Sequence, residues 1–152
     1  MGNDKMMFKD DKVVITIKYP DGHIESDEYH NMVVTEGLQQ VAAFIGGFTS
    51  KGDFKYVQIG TSSTASSTGM TALVSEVMST TATLSLGTTN VSLDTVKYSA
   101  TYAISTTEAL REAGIFNNAP GSTTIDMFAR VTFPVKNLAN GSEFTINWNV
   151  VA

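Results

Sequence analysis

REAGIFNNAPGSTTIDMFARVTFPVKNLANGSEFTINWNVVA, residues 111–152, decides the fold class. Three apolar segments of strand length are separated by two turn signals, Pro120-Gly121 and Asn140-Gly141. In the last segment Phe144, Ile146, Trp148 and Val150 share one face, and Glu143, Thr145, Asn147 and Asn149 share the other. That alternation is the period of a half-buried strand, with Trp148 as a core residue. Pro134 is expected to end the middle segment, because proline cannot donate to a ladder. Val135 and Leu138 are expected to form the crossover beyond it. No residue in the stretch has an obvious chemical task.

Upstream, Asn90 to Ile104 repeats the pattern. Val96, Tyr98, Ala100, Tyr102 and Ile104 alternate with Lys97, Ser99, Thr101 and Ala103. Gly87 to Asn90 joins this run to a β-prone run from Met78 to Leu86. Thr106 to Ala113 reads as a turn or bulged connection into a strand at Ile115. Phe54 to Gly60 reads as a buried strand, followed by the Ser/Thr-rich run 61–69, which lacks any large apolar residue and is expected to be a surface loop. Met70 to Val77 fits either one helical turn or a strand entry. Nearer the start, Lys12 to Tyr19 is rich in β-branched residues. Pro20-Asp21-Gly22 supplies a turn, and His23 to Asn31 returns as a polar strand, which together predict a hairpin.

One helix is expected, from Glu36 to about Ile45. Thr35 is placed to cap it, Glu36 sits in its first turn, and Gly46-Gly47 stop it. Leu38, Val41, Ala42 and Ile45 fall on one helical face. The elements add up to a mainly β chain of roughly eight strands. The fold predicted is an antiparallel β-sandwich or jelly-roll-like domain over 12–152, preceded by an N-terminal arm at 1–11. The arm is polar apart from Met6, Met7 and Phe8. These three read either as part of a loose terminus or as candidate subunit contacts that dock on a neighbour.

The chain has 152 residues, the usual size of one domain, and is 42% hydrophobic, enough for a core. Only 16% of residues are charged, against roughly 25% in an average soluble protein. That depletion suits hydroxyl-rich strands and also a surface covered by neighbours. A net charge of −5, with no basic run, argues against a nucleic-acid partner. The absence of cysteine excludes disulfides and thiolate metal sites. The first residues lack the apolar segment of a signal peptide, and no run approaches the ~20 apolar residues of a membrane helix.

The search for chemistry gives no catalytic, cofactor or metal set. His23 and His30, seven apart, would point to opposite faces of an unbroken strand, so they are poor joint ligands. Asp21, Glu25, Asp27 and Glu28 lack calcium-loop spacing and read as a solvated acidic face. Glu108, Arg111 and Glu112 offer a local ion pair. The serines lack a nucleophile elbow. Glu112 and Asp126 are the carboxylates a hydrolase would have to use, but they have no recognisable paired setting.

Asn31-Met-Val-Val-Thr-Glu-Gly-Leu38 before the helix, Phe54-Lys-Tyr-Val-Gln-Ile-Gly-Thr61 before the Ser/Thr loop, and Thr71-Ala-Leu-Val-Ser-Glu76 follow one another in order. Leu110-Arg-Glu-Ala-Gly-Ile-Phe-Asn117, Phe128-Ala-Arg-Val131 and the Trp148 strand complete the set. Over residues 31–152 this resembles small virion proteins of tailed bacteriophages, described as tail-fibre or baseplate-associated, with similar β modules decorating capsids. Residues 1–30 lie outside the resemblance. It implies a non-enzymatic subunit with no cofactor, made in the host cytoplasm and present in many copies on the virion, often as trimers. Its partners would be other copies and the major capsid or tail proteins, not nucleic acid or membrane. The alternative is a carbohydrate-binding β-sandwich that stacks sugars on Tyr19, Tyr29 or Tyr56.

Overall fold

A computed structural model describes residues 8–48 and 52–152. Met6 and Met7 therefore lie outside the described residues. Ten strands and one helix are present among the described residues: β1 Lys12–Lys18, β2 Ile24–Tyr29, β3 Met32–Val33, α1 Thr35–Gly46, β4 Tyr56–Gly60, β5 Glu76–Thr81, β6 Thr83–Gly87, β7 Thr95–Ala103, β8 Glu108–Phe116, β9 Met127–Leu138 and β10 Glu143–Val151. They form two antiparallel five-stranded sheets packed as a sandwich. The orders are β2-β1-β10-β7-β6 and β3-β9-β8-β4-β5.

The first sheet follows the alternation in the sequence. Val13, Ile15 and Ile17 of β1, Tyr98, Ala100 and Tyr102 of β7, and Phe144, Ile146, Trp148 and Val150 of β10 all point into the core. Register pairs Ile15 with Ile146 and Trp148 with Tyr98, so apolar side chains meet across neighbouring strands. The hairpin β1–β2 closes through the predicted turn, with the Gly22 N–H bonded to the Tyr19 carbonyl.

The second sheet departs from alternation because both of its faces are covered. Its inner face contributes Val57, Ile59, Ala113, Ile115, Ala129 and Val131 to the common core. A second apolar cluster contains Val34, Leu73, Phe116 and Met127. Strands buried on both faces lose the period of two and read as continuous apolar runs.

Three expectations are corrected here. The connection expected at 106–113 is already strand from Glu108, so β8 is nine residues long. Pro134 does not end its strand: β9 runs through it to Leu138, and Val135 and Leu138 belong to β9, not to a crossover. Leu110 pairs with Lys136, and the next partner pair is Glu112 with Thr132, so β9 carries extra residues around Pro134. A bulge tolerates proline because the ladder is interrupted there anyway. Finally, the runs around 78–86 lie in different sheets. Ala82 alone separates β5 from β6, and its N–H bonds to the Lys55 carbonyl as the chain crosses.

The helix is where it was expected, but its cap and its contact face differ. Val34, not Thr35, occupies the N-cap position and makes no side-chain cap bond. Val34 is fully buried, its N–H bonds to the Phe128 carbonyl, and the Thr35 N–H bonds to the Thr68 carbonyl. Glu36 accepts the Met127 N–H at 2.8 Å, which ties the first turn to β9. The closest approach to the sheet is through Gly37, where a Cβ would stand 2.3 Å from the Phe128 carbonyl oxygen. The apolar stripe meets the sheet only in part: Val41 packs against the core, while Leu38 and Ile45 are exposed, Ile45 at 82%, as is the neighbouring Phe44.

Candidate functional site

The polar centre of the molecule lies on the outer face of the second sheet. Arg130 of β9 and Glu112 of β8 are fully buried, with the Arg130 Nη2 donating to Glu112 Oε1 at 2.9 Å. The pair expected locally between Glu112 and Arg111 is replaced by this one. Arg111 instead donates to the Thr61 carbonyl. Glu112 accepts five hydrogen bonds, from Arg130 Nε and Nη2 and from the backbone N–H groups of Ser62, Val74 and Ser75. Arg130 also donates to the Thr64 carbonyl and the Ser66 hydroxyl. The Thr61 N–H bonds to the Ser75 carbonyl, so the two ends of the connection between β4 and β5, which contains the Ser/Thr-rich loop, meet. The ion pair thus replaces the missing apolar anchor of this loop. Gly60 makes room for it, since a Cβ there would lie 2.6 Å from Glu112 Oε2. A carboxylate saturated by five donors is a structural acceptor with no lone pair left facing a substrate.

A second buried network holds the strand ends. The Trp148 indole N–H donates to Asn31 Oδ1, and Asn31 Nδ2 donates to Asp11 Oδ2. The other Asp11 oxygen accepts the Val151 N–H at 2.7 Å. Burial pushes the Asp11 carboxyl up to about 6, against the pull of the Val151 and Asn31 hydrogen bonds.

The remaining candidate residues are dispersed. His23 bonds to Asp21 and stacks on Tyr19 at 4.2 Å, while His30 Nδ1 lies 3.1 Å from the Asp11 carbonyl oxygen. The acidic residues of the hairpin divide among partners. Glu25 and Asp27 hold Lys136 of β9, and Glu28 lies 3.8 Å from Lys12. Burial opposes the Lys136 charge, but the Asp27, Tyr29 and Glu25 contacts outweigh it and leave its pKa raised. Among the described residues no three His, Asp or Glu side chains converge as a metal site. No described helix is long and apolar enough to cross a membrane. Tyr29 packs near Phe133 and under Lys136, and Tyr56 packs on the second apolar cluster.

The feature with the clearest capacity for interaction is apolar. A cleft of about 440 Å³ opens between α1, β6 and the ends of β7, β9 and β10, lined by Val41, Phe44, Leu84, Val96, Phe128 and Val150 among others. Phe8, Phe54 and Phe128 line it too, with Phe8 edge-on to Phe128 at 5.4 Å and Phe54 at 5.5 Å from Phe128. Phe8 therefore contacts the core of its own chain. On α1, Leu38, Phe44 and Ile45 are exposed, as is Phe48 just beyond it, and on the edge strand β6 so are Leu84 and Leu86, the latter at 63%. Phe44 and Leu84 line the same cleft, which makes the two sets parts of one surface. The sequence places Leu38, Val41, Ala42 and Ile45 on one helical face; of these Val41 packs against the core, and Leu38 and Ile45 are exposed. Comparison with protein-family models, curated proteins and solved structures gives no match to this chain.

Proposed function

We propose that the chain is a non-enzymatic structural subunit that packs in many copies on a tailed-phage virion, as a capsid decoration protein or as part of the tail, baseplate or fibre. The observation that carries the reading is the contrast between the two edges of the first sheet. β2 is lined with Glu25, Asp27 and Glu28, charges that discourage edge-to-edge pairing. β6, Thr-Leu-Ser-Leu-Gly, has no charge and exposes Leu84 and Leu86 beside the outward stripe of α1. An uncharged edge with free backbone groups next to an apolar helix face is suited to burial against another subunit. The virion setting and a trimeric state rest on the resemblance of residues 31–152.

The test is light scattering of the purified protein over a range of concentration, with Leu86→Lys beside it. Association in the wild type that is lost in the variant, with an unchanged circular dichroism spectrum, is the expected result. A wild type that stays monomeric throughout would overturn the subunit reading. The carbohydrate-binding alternative has one observation in its favour, the Tyr19–His23 stack at the exposed hairpin turn. Glycan-array binding lost in Tyr19→Ala would shift the assignment to it.

A further inference from the structure

We propose that a narrow cleft on the outer face of the second sheet binds a primary ammonium group carried on an alkyl stem. The inference stands apart from the subunit reading. The cleft measures about 200 Å³ and lies between residues 71–73 on one side and the loop 120–125 on the other, with Gln58 of β4, Glu76 of β5 and Phe116 of β8 also lining it. Gln58 is the first reason to read it as a site. Val57 and Ile59 on either side point into the core, so Gln58 faces outward, yet it is only 4% exposed. Among the described residues its amide has no hydrogen-bond partner. Burying an amide without a partner costs free energy, so such a group marks where a ligand's polar atom belongs.

Glu76 is the second reason. Ile59 pairs with Met78, but Gly60 then pairs with Glu76, so β5 carries a bulge at Val77. In an unbroken ladder Val77 would stand opposite Gly60, on the face of Gln58. The bulge re-aims the strand and brings a carboxylate to the cleft instead. Glu76 is exposed and has no ion pair among the described residues, and no Lys, Arg or His lines the cleft. An uncompensated carboxylate favours a cation over an anion. The Gln58 carbonyl, the Glu76 carboxylate and the Thr71 hydroxyl are three acceptors, which match the three N–H donors of a primary ammonium. A guanidinium would bring more donors than these acceptors serve, and a quaternary ammonium would leave them unused. Leu73, Pro120 and Ile125 offer an apolar wall to the methylene stem. A cavity of about 150 Å³ takes one benzene-sized group, so about 200 Å³ takes a four-carbon stem with its head group. Both walls are fixed in advance: Glu112 holds the Val74 and Ser75 N–H groups, and the Ser122 N–H bonds to the Ala119 carbonyl. The same stem and head belong to a lysine side chain on a partner protein and to a free aliphatic amine.

The test follows the backbone amide resonances of the isotope-labelled protein during titration with n-butylammonium chloride at constant ionic strength. n-Butanol is the uncharged control. Saturable shifts centred on residues 58, 71–76 and 116 are expected with butylammonium and not with butanol. Glu76→Gln, at an exposed position, should keep the wild-type spectrum elsewhere and bind about tenfold more weakly. No saturable shift with butylammonium would overturn the proposal, as would equal binding of butanol or undiminished binding in Glu76→Gln. Two further ligands separate the sources. Tighter binding of Nα-acetyl-lysine methylamide than of butylammonium assigns the site to a partner's lysine, and tighter binding of cadaverine assigns it to free amines.

Discussion

Glu112 and Arg130 show how one ion pair organises a stretch of chain that has no apolar residues to hold it. Breaking a buried pair from one side leaves a buried charge without compensation and costs about 3–5 kcal/mol. Glu112→Gln is expected to lose stability near the lower end of that range in urea denaturation, and to expose residues 61–75 to proteolysis before the rest of the domain. Asp11 makes a pH-dependent case. Its folded pKa of about 6 lies above its ordinary value of 3.8, so the folded state binds the proton more tightly. Its contribution is fully present below pH 4 and is lost as pH rises through 6. The unfolding free energy of the wild type relative to Asp11→Asn should therefore fall by about 2 kcal/mol between pH 4 and pH 7. An equal difference at both pH values would refute this. Neither network was legible in the sequence, because Glu112 gathers donors from as far as fifty residues away and Asn31 is 117 positions from Trp148. What was legible was Trp148 itself as core, from the alternation of β10.

At the scale of elements, periodicity identified what stands on a single covered face. The hairpin β1–β2 follows from β-branched content and its turn, and the extent of α1 from its Gly46-Gly47 stop, while strands β7 and β10 follow from periodicity. It failed for β8 and β9, where burial on both faces removes alternation and Pro134 sits in a bulge that no local rule announces. The helix shows a different limit. A stripe at 3.6-residue spacing says that a face will be covered, but not by what. Here the backbone approach at Gly37 sets the docking side, Val41 one turn on packs against the core, and Leu38 and Ile45 are left exposed. Glycine to alanine in a helix ordinarily gains about 1 kcal/mol. Gly37→Ala is expected to do the opposite and cost about 1–3 kcal/mol by overpacking against Phe128, as read from the thermal midpoint. Ile45→Ala, on the exposed stripe, should leave that midpoint within a degree or two.

For the whole molecule, the chain changes sheets at β2–β3, β5–β6, β7–β8 and β9–β10, so neither sheet is a contiguous piece of sequence. The two sheets share one apolar core and are expected to unfold in a single transition by both fluorescence and circular dichroism. Low charge and hydroxyl-rich strands suited a β-sandwich from composition alone. The asymmetry between the charged β2 edge and the uncharged β6 edge required the strand order. That order has a consequence for biosynthesis. β10, the last of the described strands in sequence, is the middle strand of its sheet, between β1 and β7. Until it emerges, β1 and β7 are two apolar ribbons with no mate between them, even though more than a hundred residues have already been made. A nascent chain that has not yet made this nine-residue strand therefore leaves the two ribbons open to pairing with a neighbour.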